Sequence, residues 1–181
     1  MNLNDSKRTD NPFVCQIVGY KNSGKTALVC SLVERLTALG YKVAVIKHDA
    51  HDFEMDHPGT DSYRHRAAGA AAIALVSPRK TAVIRDEETS LNQLIGGFSA
   101  YDIILVEGFK REGYPKLVMV RRPKDRELIG SLEAVAGVVS WLPMEETFSD
   151  VEQGFSACFD FFDKDEHKPI VEWILRQAAF I

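Results

Sequence analysis

The residues best suited to carry chemistry lie in one short segment, from Gly19 to Thr26, which reads Gly-Tyr-Lys-Asn-Ser-Gly-Lys-Thr. An apolar stretch, 13–18, precedes it, and leucines at helical spacing follow it, so the segment joins a strand to a helix. Its glycines and its final Lys-Thr pair match the complete phosphate-loop pattern, in which backbone N–H groups bind phosphate oxygens at a helix N-terminus. We therefore predict a nucleotide phosphate site, with Lys25 reaching the terminal phosphates and Thr26 binding Mg²⁺.

Hydrolysis or transfer of a phosphoryl group also needs an acidic side chain near Mg²⁺, and Glu107 is the best candidate. It follows Tyr101 to Val106, an almost wholly apolar segment that predicts a strand buried on both faces. In an open α/β sheet, ligands bind beyond the C-terminal ends of the strands, where Glu107 would lie. Asp102 is a weaker candidate because it begins the strand and should lie at the opposite edge. The alternative for Glu107 is an exposed glutamate with no special role.

The polar segment from His48 to Asp61 is the second candidate for a ligand site. It contains three histidines and four aspartates and lacks the period of a helix or strand. Such a set could ligate a transition metal, or it could be a solvated acidic loop. Asp61 or Asp49 could contact Mg²⁺ or phosphate, and Lys47, at the end of the preceding strand, could face phosphate.

The remaining pattern predicts the elements that position these residues. Strand 13–18, helix 25–39 and strand 41–47 form an opening βαβ unit, with Gly40 at the helix C-cap. Further elements are predicted as a helix over 61–69 capped by Thr60, strands over 70–76 and 81–84, a helix over 88–95, strands over 101–106 and 116–120, a last core strand over 134–141, and a helix over 169–179. Residues 155–162 are not assigned to a helix or strand. This order predicts an α/β fold of the P-loop NTPase type, three αβα layers around a mainly parallel sheet.

Length and composition restrict the class of protein. The 181 residues predict a flexible segment over 1–12 and one nucleotide-binding domain over 13–181. The formal net charge of −4 favours neither nucleic acid nor an anionic membrane as partner. The sequence shows neither a bilayer-spanning apolar run nor a signal peptide, so we expect a cytoplasmic protein. The three cysteines lack metal-ligand spacing, and we expect Cys15 and Cys30 to be buried thiols.

Several stretches together resemble the MobB proteins of molybdenum cofactor biosynthesis. Their content and order both match over residues 13 to about 122, and the last third matches only loosely. The stretches are Val-Gly-Tyr-Lys-Asn-Ser-Gly-Lys-Thr at 18–26, Ile-Lys-His at 46–48, Gly-Thr-Asp-Ser-Tyr-Arg-His-Arg-Ala-Ala-Gly-Ala at 59–70, Val-Glu-Gly-Phe-Lys at 106–110 and Pro-Lys at 115–116.

The resemblance implies a GTP-binding protein with weak GTPase activity that assists the formation of molybdopterin guanine dinucleotide. It would act as an adapter to a MobA-type guanylyltransferase, in contact with the molybdopterin cofactor and as a homodimer. The residues that this resemblance assigns to phosphate binding are Gly19, Tyr20, Lys21, Asn22, Ser23, Gly24, Lys25 and Thr26. It assigns Mg²⁺ to Thr26 and Glu107, with Asp61 as a further ion or phosphate candidate. Lys25 and Glu107 would be the catalytic residues, and Lys47, His48 and Arg64 to Arg66 would line the adjoining surface.

Two other functions remain open from the sequence. One is an ATP-dependent enzyme similar to dethiobiotin synthetase, in which Lys47 would bind a small acid. The other is a metallochaperone GTPase, in which His48, His51 and His57 would carry a metal ion. The chain has no Asn-Lys-x-Asp pattern, so the residues themselves leave the choice of base open. Arg121, Arg122 and Lys124 could add a basic rim or a solvated face.

Overall fold

The computed structural model describes residues 11–49, 53–148, 156–162 and 167–180. The chain forms two compact units, one built from the segments before Asp49 and after Ser90, and the other from Asp49–Ser90. The flexible segment over 1–12 falls almost wholly outside the described residues, and the single domain over 13–181 stays a prediction.

The first unit contains a six-stranded sheet in which every neighbouring pair is parallel. Its elements are β1 (Phe13–Val18), α1 (Lys25–Ala38), β2 (Val43–Lys47), α3 (Leu91–Gly97), β5 (Ile103–Glu107), β6 (Lys116–Val120), a 3-10 helix (Pro123–Arg126), α4 (Glu127–Ser131), β7 (Val135–Ser140), α5 (Met144–Phe148), β8 (Ala157–Asp160) and α6 (Lys168–Gln177). The strand order is β2-β5-β1-β6-β7-β8. The predicted α/β fold with a mainly parallel sheet is confirmed.

Helices cover both faces of this sheet. On one face, α1 and α6 pack against alternate strand residues such as Cys15 and Ile17. On the other face, Val14 packs with α3 and Val18 packs with α4. Because β1 and β5 lie in the middle of the sheet, their apolar residues are almost fully buried. This arrangement confirms the three αβα layers.

The ends of α1 show how local sequence sets its length. Its buried stripe is formed by Leu28, Leu32 and Leu36, whereas Leu39 is exposed at the C-cap. Gly40 has φ 90° and its N–H binds the Thr37 carbonyl at 2.9 Å, while the next residue's N–H binds the Leu36 carbonyl at 3.1 Å. These two bonds form a Schellman motif, which confirms the predicted glycine cap.

Three predictions for this unit were wrong. The strand predicted over 134–141 is not the last, because β8 pairs with it and Phe159, within 155–162, packs against the α6 side of the core. The helix predicted from Glu88 begins instead at Leu91, which is 1% exposed. Cys30 is exposed, because it lies on the outer face of α1 while Leu28 and Leu32 face the sheet.

The second unit consists of α2 (Asp61–Ala67) and an antiparallel hairpin of β3 (Ala72–Ser77) and β4 (Lys80–Arg85). The Thr60 hydroxyl accepts a hydrogen bond from the Tyr63 N–H at 3.2 Å, which confirms the predicted cap. The buried Asp56 carboxylate accepts bonds from Thr60 and from Ser62, at 2.8 Å and 3.0 Å. No helix within the described ranges has the length and apolar character needed to cross a membrane.

Candidate phosphate-binding site

The loop from Gly19 to Gly24 has the backbone shape of an anion-binding nest. Asn22 (φ 61°) and Gly24 (φ 94°) are left-handed, and this alternation turns successive N–H groups toward one side of the loop. A Cβ on Gly24 would lie 2.7 Å from the Trp141 ring, and one on Gly19 would lie 2.6 Å from the Ser23 hydroxyl oxygen. A side chain at either position would therefore collide with its neighbours. Gly24 also has a left-handed backbone conformation, which favours glycine.

Thr26 and Glu107 meet at the C-terminal edge of the sheet, as predicted. Glu107 ends β5, which pairs directly with β1, and it is 7% exposed. The Thr26 hydroxyl donates to the Glu107 carboxylate, lying 3.0 Å from Oε1 and 3.1 Å from Oε2. A hydroxyl and a carboxylate oxygen at the start of a phosphate-loop helix are ligands that suit Mg²⁺.

Phosphate and water oxygens could supply the remaining ligands of such an ion. Among the described residues, no group of three or more His, Cys, Asp or Glu side chains is arranged to hold a metal ion. Mg²⁺ is usually held in this way, by one or two protein groups together with phosphates and waters. The residues present therefore fit Mg²⁺ carried with a nucleotide better than an all-protein metal cage.

Lysines give this edge of the sheet a positive character. The Lys25 ammonium donates to the Tyr20 carbonyl at 2.8 Å. Burial lowers the pKa of Lys25, the positive charges of Lys110 and Lys47 lower it further, and Glu107 opposes them. Lys110 also lies over the Tyr20 ring, 4.7 Å from its centroid. Since the positive charges of Lys47 and Lys110 act on Lys25, an anionic ligand at the loop would offset this repulsion.

Two residues, His48 and Gln16, contact the segment that begins at Glu107. The His48 N–H binds the Glu107 carbonyl at 2.9 Å, and its ring packs edge-on against Phe109 with centroids 4.7 Å apart. The buried Gln16 side chain donates to the carbonyls of Gly108 and Phe109, at 3.1 Å and 2.6 Å. The sequence analysis missed Gln16, because a lone polar residue within an apolar strand carries no signal of its partner.

The basic residues that could have formed a rim are Arg121, Arg122 and Lys124, which follow β6. Their surroundings differ. Arg122 pairs with the buried Asp125, at 3.3 Å, and so has a structural role. Lys124 is exposed. Arg121 instead reaches the phosphate loop, where its guanidinium donates to the Asn22 carbonyl and lies 4.7 Å from the centre of the Trp141 ring. Trp141 itself donates to the Ser23 carbonyl, a role that its position at the end of a strand does not reveal.

In the second unit, the predicted ligand residues have partners of their own. The Asp61 and Arg64 side chains are exposed and lie 3.9 Å apart within α2. Arg66 binds Asp86 and Glu54, at 2.8 Å and 2.9 Å, and these bonds raise its pKa. Arg66 is therefore better explained as a structural residue. The ligand roles of Asp61 and Arg64 stay predictions, and His51 lies outside the described residues.

Comparison with known proteins identifies the family. The family model described as molybdopterin guanine dinucleotide synthesis protein B, or MobB, matches residues 14–141. This chain belongs to the MobB family. The resemblance drawn from the sequence is therefore confirmed, and the match includes both the phosphate loop and Glu107.

Relatives of known name agree with this assignment to MobB. A molybdopterin-guanine dinucleotide biosynthesis adapter protein of Escherichia coli is 34% identical, covering 87% of this chain and 91% of its own. The adapter protein of the same name from Haemophilus influenzae is 35% identical over 71% of this chain and 75% of its own. The crystal structure of a MobB homologue from Bacillus stearothermophilus superimposes with a TM-score of 0.70 at 26% identity, covering 93% of this chain and 99% of its own.

Proposed function

We propose that this chain binds GTP with Mg²⁺ at the loop from Gly19 to Thr26 and serves as an adapter protein in the formation of molybdopterin guanine dinucleotide. The observation that carries the nucleotide proposal is the contact of the Thr26 hydroxyl with both oxygens of Glu107, at 3.0 Å and 3.1 Å, beside a nest of backbone N–H groups. The adapter proposal is supported by family membership and by the names of the relatives in Escherichia coli and Haemophilus influenzae.

Each residue of the site then has a task. Backbone N–H groups of the loop bind the phosphates, and the Lys25 ammonium leaves the Tyr20 carbonyl to reach the terminal phosphate. Thr26 and Glu107 hold Mg²⁺, which would neutralise charge on the phosphate oxygens. Lys47 and His48 border the site and are available to a second anionic ligand, such as the molybdopterin cofactor.

The proposal includes slow hydrolysis of GTP. Glu107 would hold the metal ion, so another group would have to orient the attacking water molecule, a task that a glutamine performs in Ras-like GTPases. A slow reaction suits a protein whose bound nucleotide controls a partner. The partner that we propose is a MobA-type guanylyltransferase, met by a homodimer of this chain in the cytoplasm, with neither nucleic acid nor membrane involved.

A titration of the purified protein with GTP and with ATP, each with Mg²⁺, tests the nucleotide proposal. We expect GTP to bind more tightly than ATP and to turn over slowly. Tighter binding of ATP, with hydrolysis stimulated by a small carboxylic acid, would contradict the proposal and favour an enzyme similar to dethiobiotin synthetase.

Capture of the guanylyltransferase on immobilised protein tests the adapter proposal. The expected result is retention of the enzyme in the presence of GTP and Mg²⁺ and reduced retention by the Lys25→Ala variant under the same conditions. Equal retention by both proteins would mean that the nucleotide does not control the interaction, and no retention by either would refute the proposed partner.

A further inference from the structure

Three side chains donate hydrogen bonds to carbonyl oxygens of the phosphate loop. The Trp141 indole N–H binds the Ser23 carbonyl at 3.0 Å, the Arg121 guanidinium binds the Asn22 carbonyl, and the Lys25 ammonium binds the Tyr20 carbonyl at 2.8 Å. Lys25 is expected to leave when phosphate binds. Trp141 and Arg121 lie at the ends of β7 and β6, outside the loop, and can stay in place. We call these two residues the carbonyl clamp.

The clamp acts on the N–H groups through the geometry of the peptide bond. In a planar trans peptide, the C=O of one residue and the N–H of the next point in opposite directions. A donor that holds the Asn22 carbonyl therefore directs the Ser23 N–H away from itself, and one that holds the Ser23 carbonyl directs the Gly24 N–H in the same way. Because Asn22 and Gly24 are both left-handed, these are N–H groups of the nest.

Holding the carbonyls also strengthens the opposite ends of the same peptides. A hydrogen bond to a C=O polarises the amide and makes its N–H a better donor, since chained hydrogen bonds reinforce each other. The hydrogen bond also orders the loop before phosphate binds, so less conformational entropy is lost on binding. Both effects favour anion binding without any contact between the clamp and the anion.

The packing around Trp141 keeps its indole N–H in place. Its ring stacks on Phe161, with centroids 3.9 Å apart and planes at 14°, and the Arg121 guanidinium lies 4.7 Å from its centre. The Phe161 carbonyl is bound by the His167 ring at 3.0 Å, and the other ring nitrogen of His167 contacts Ser31 of α1 at 2.9 Å. The indole is thus held between β7, the segment after β8 and the loop that it binds.

We propose that Trp141 and Arg121 are positioning residues that orient and polarise the Ser23 and Gly24 N–H groups for phosphate binding. This inference rests on the proposed function of the loop as a nucleotide phosphate site. It assigns a role in ligand affinity to residues that are 118 and 99 positions from the carbonyls they bind.

The chain offers a matched control for the test. It has two tryptophans, and the indole N–H of the second, Trp173, is buried without a hydrogen-bond partner in the part of the chain that the structure describes. The Trp173→Phe protein therefore keeps the clamp and retains Trp141 as its only tryptophan. Growth of this variant in tryptophan-auxotrophic cells with benzothienylalanine then replaces the N–H of Trp141 by sulfur and keeps the two-ring shape.

We expect the sulfur-containing protein to bind GDP without Mg²⁺ and GTP with Mg²⁺ more weakly than Trp173→Phe, by a similar factor of about two to five in each case, because the loop must then order around the phosphate without this donor. In the nucleotide-free protein the carbonyl ¹³C resonance of Ser23 should shift, and the melting temperature should fall by about 2–4 °C, as loss of one hydrogen bond predicts. Unchanged affinity for both nucleotides, or weaker binding with no shift at Ser23, would overturn the proposal.

A second pair of variants tests the clamp if the sulfur-containing protein does not fold. Arg121→Lys keeps a charged donor and should recover part of the affinity lost in Arg121→Met, whereas equal loss in both would contradict the role of Arg121. If the indole-containing protein binds neither nucleotide, the proposed function fails. The Ser23 resonance then still decides whether the clamp orients the loop, because it is measured without ligand.

Discussion

Gly24→Ala should destabilise the protein for two reasons that the structure separates. Gly24 has φ 94°, a conformation that costs a residue with a Cβ about 1–2 kcal/mol. The new methyl group would also lie 2.7 Å from the Trp141 ring and 3.1 Å from the Phe161 ring, and crowding of this kind costs about 1–3 kcal/mol. We expect a loss of about 3 kcal/mol, equivalent to a fall in melting temperature of about 6–12 °C.

Urea denaturation followed by circular dichroism measures this loss, and two further variants divide it. The Trp141→Phe ring is smaller and lacks the atom nearest to the new methyl group. Adding Gly24→Ala to Trp141→Phe should therefore cost about 1–2 kcal/mol less than adding it to the parent protein. Gly137→Ala is the control for crowding alone, because Gly137 lacks a positive φ but its Cβ would lie 2.9 Å from Leu117.

A free energy of unfolding for Gly24→Ala within about 1 kcal/mol of the parent value would contradict this prediction, because the backbone cost alone is about 1–2 kcal/mol. Simple additivity with Trp141→Phe would refute the part that assigns crowding to the indole. In that case the loop of the Gly24→Ala variant would have to move away from β7 and so relieve the contact with the indole.

Three further predictions concern the site and the thiols. Lys25→Ala should abolish GTP binding in a calorimetric titration and leave the fold intact, as a far-ultraviolet circular dichroism spectrum would show; retained affinity would argue against the phosphate-loop assignment. Glu107→Gln should slow Mg²⁺-dependent GTP hydrolysis at least about tenfold and change the affinity for GDP without Mg²⁺ less than about twofold, and equal losses would mean a structural role. Burial raises the pKa of Cys15 to about 12 and that of Cys158 to about 11, so both thiols stay protonated at pH 8. A disulfide reagent at that pH should therefore modify the exposed Cys30 first, as peptide mapping would show, and faster labelling of either other cysteine would contradict this.

The sequence predicted correctly those parts of the fold that depend on residues close to each other along the chain. The loop from Gly19 to Thr26 is recognisable because all the residues of the motif lie in one uninterrupted segment. Gly40 ends α1 because only a residue that tolerates positive φ fits there. Thr60 caps α2 through a bond that spans three residues. Glu107 was placed correctly because a fully apolar strand implies burial, and burial implies a central strand whose end adjoins the phosphate loop.

The sequence pattern failed where the outcome depends on distant residues. The strand β8 forms because its backbone pairs with β7 and its Phe159 ring packs beside α6, and neither interaction can be predicted from the short segment itself. Arg66 looked like a ligand residue, yet two carboxylates at positions 54 and 86 bind it. The exposure of Cys30 depended on which face of α1 met the sheet.

Three features of this protein can be predicted from its sequence alone: the phosphate loop between a strand and a helix, the acidic residue at the end of a buried strand, and the order of the elements that bring the two together. Those features follow from backbone preferences and from apolar periodicity, which act over a few residues. Only the tertiary structure decided what holds the loop in shape. The donors from Trp141 and Arg121 reach it because β6 pairs in parallel with β1 and β7 pairs in parallel with β6, so the ends of all three strands lie at the same edge of the sheet. The packing of the sheet fixes that arrangement across more than ninety residues of chain.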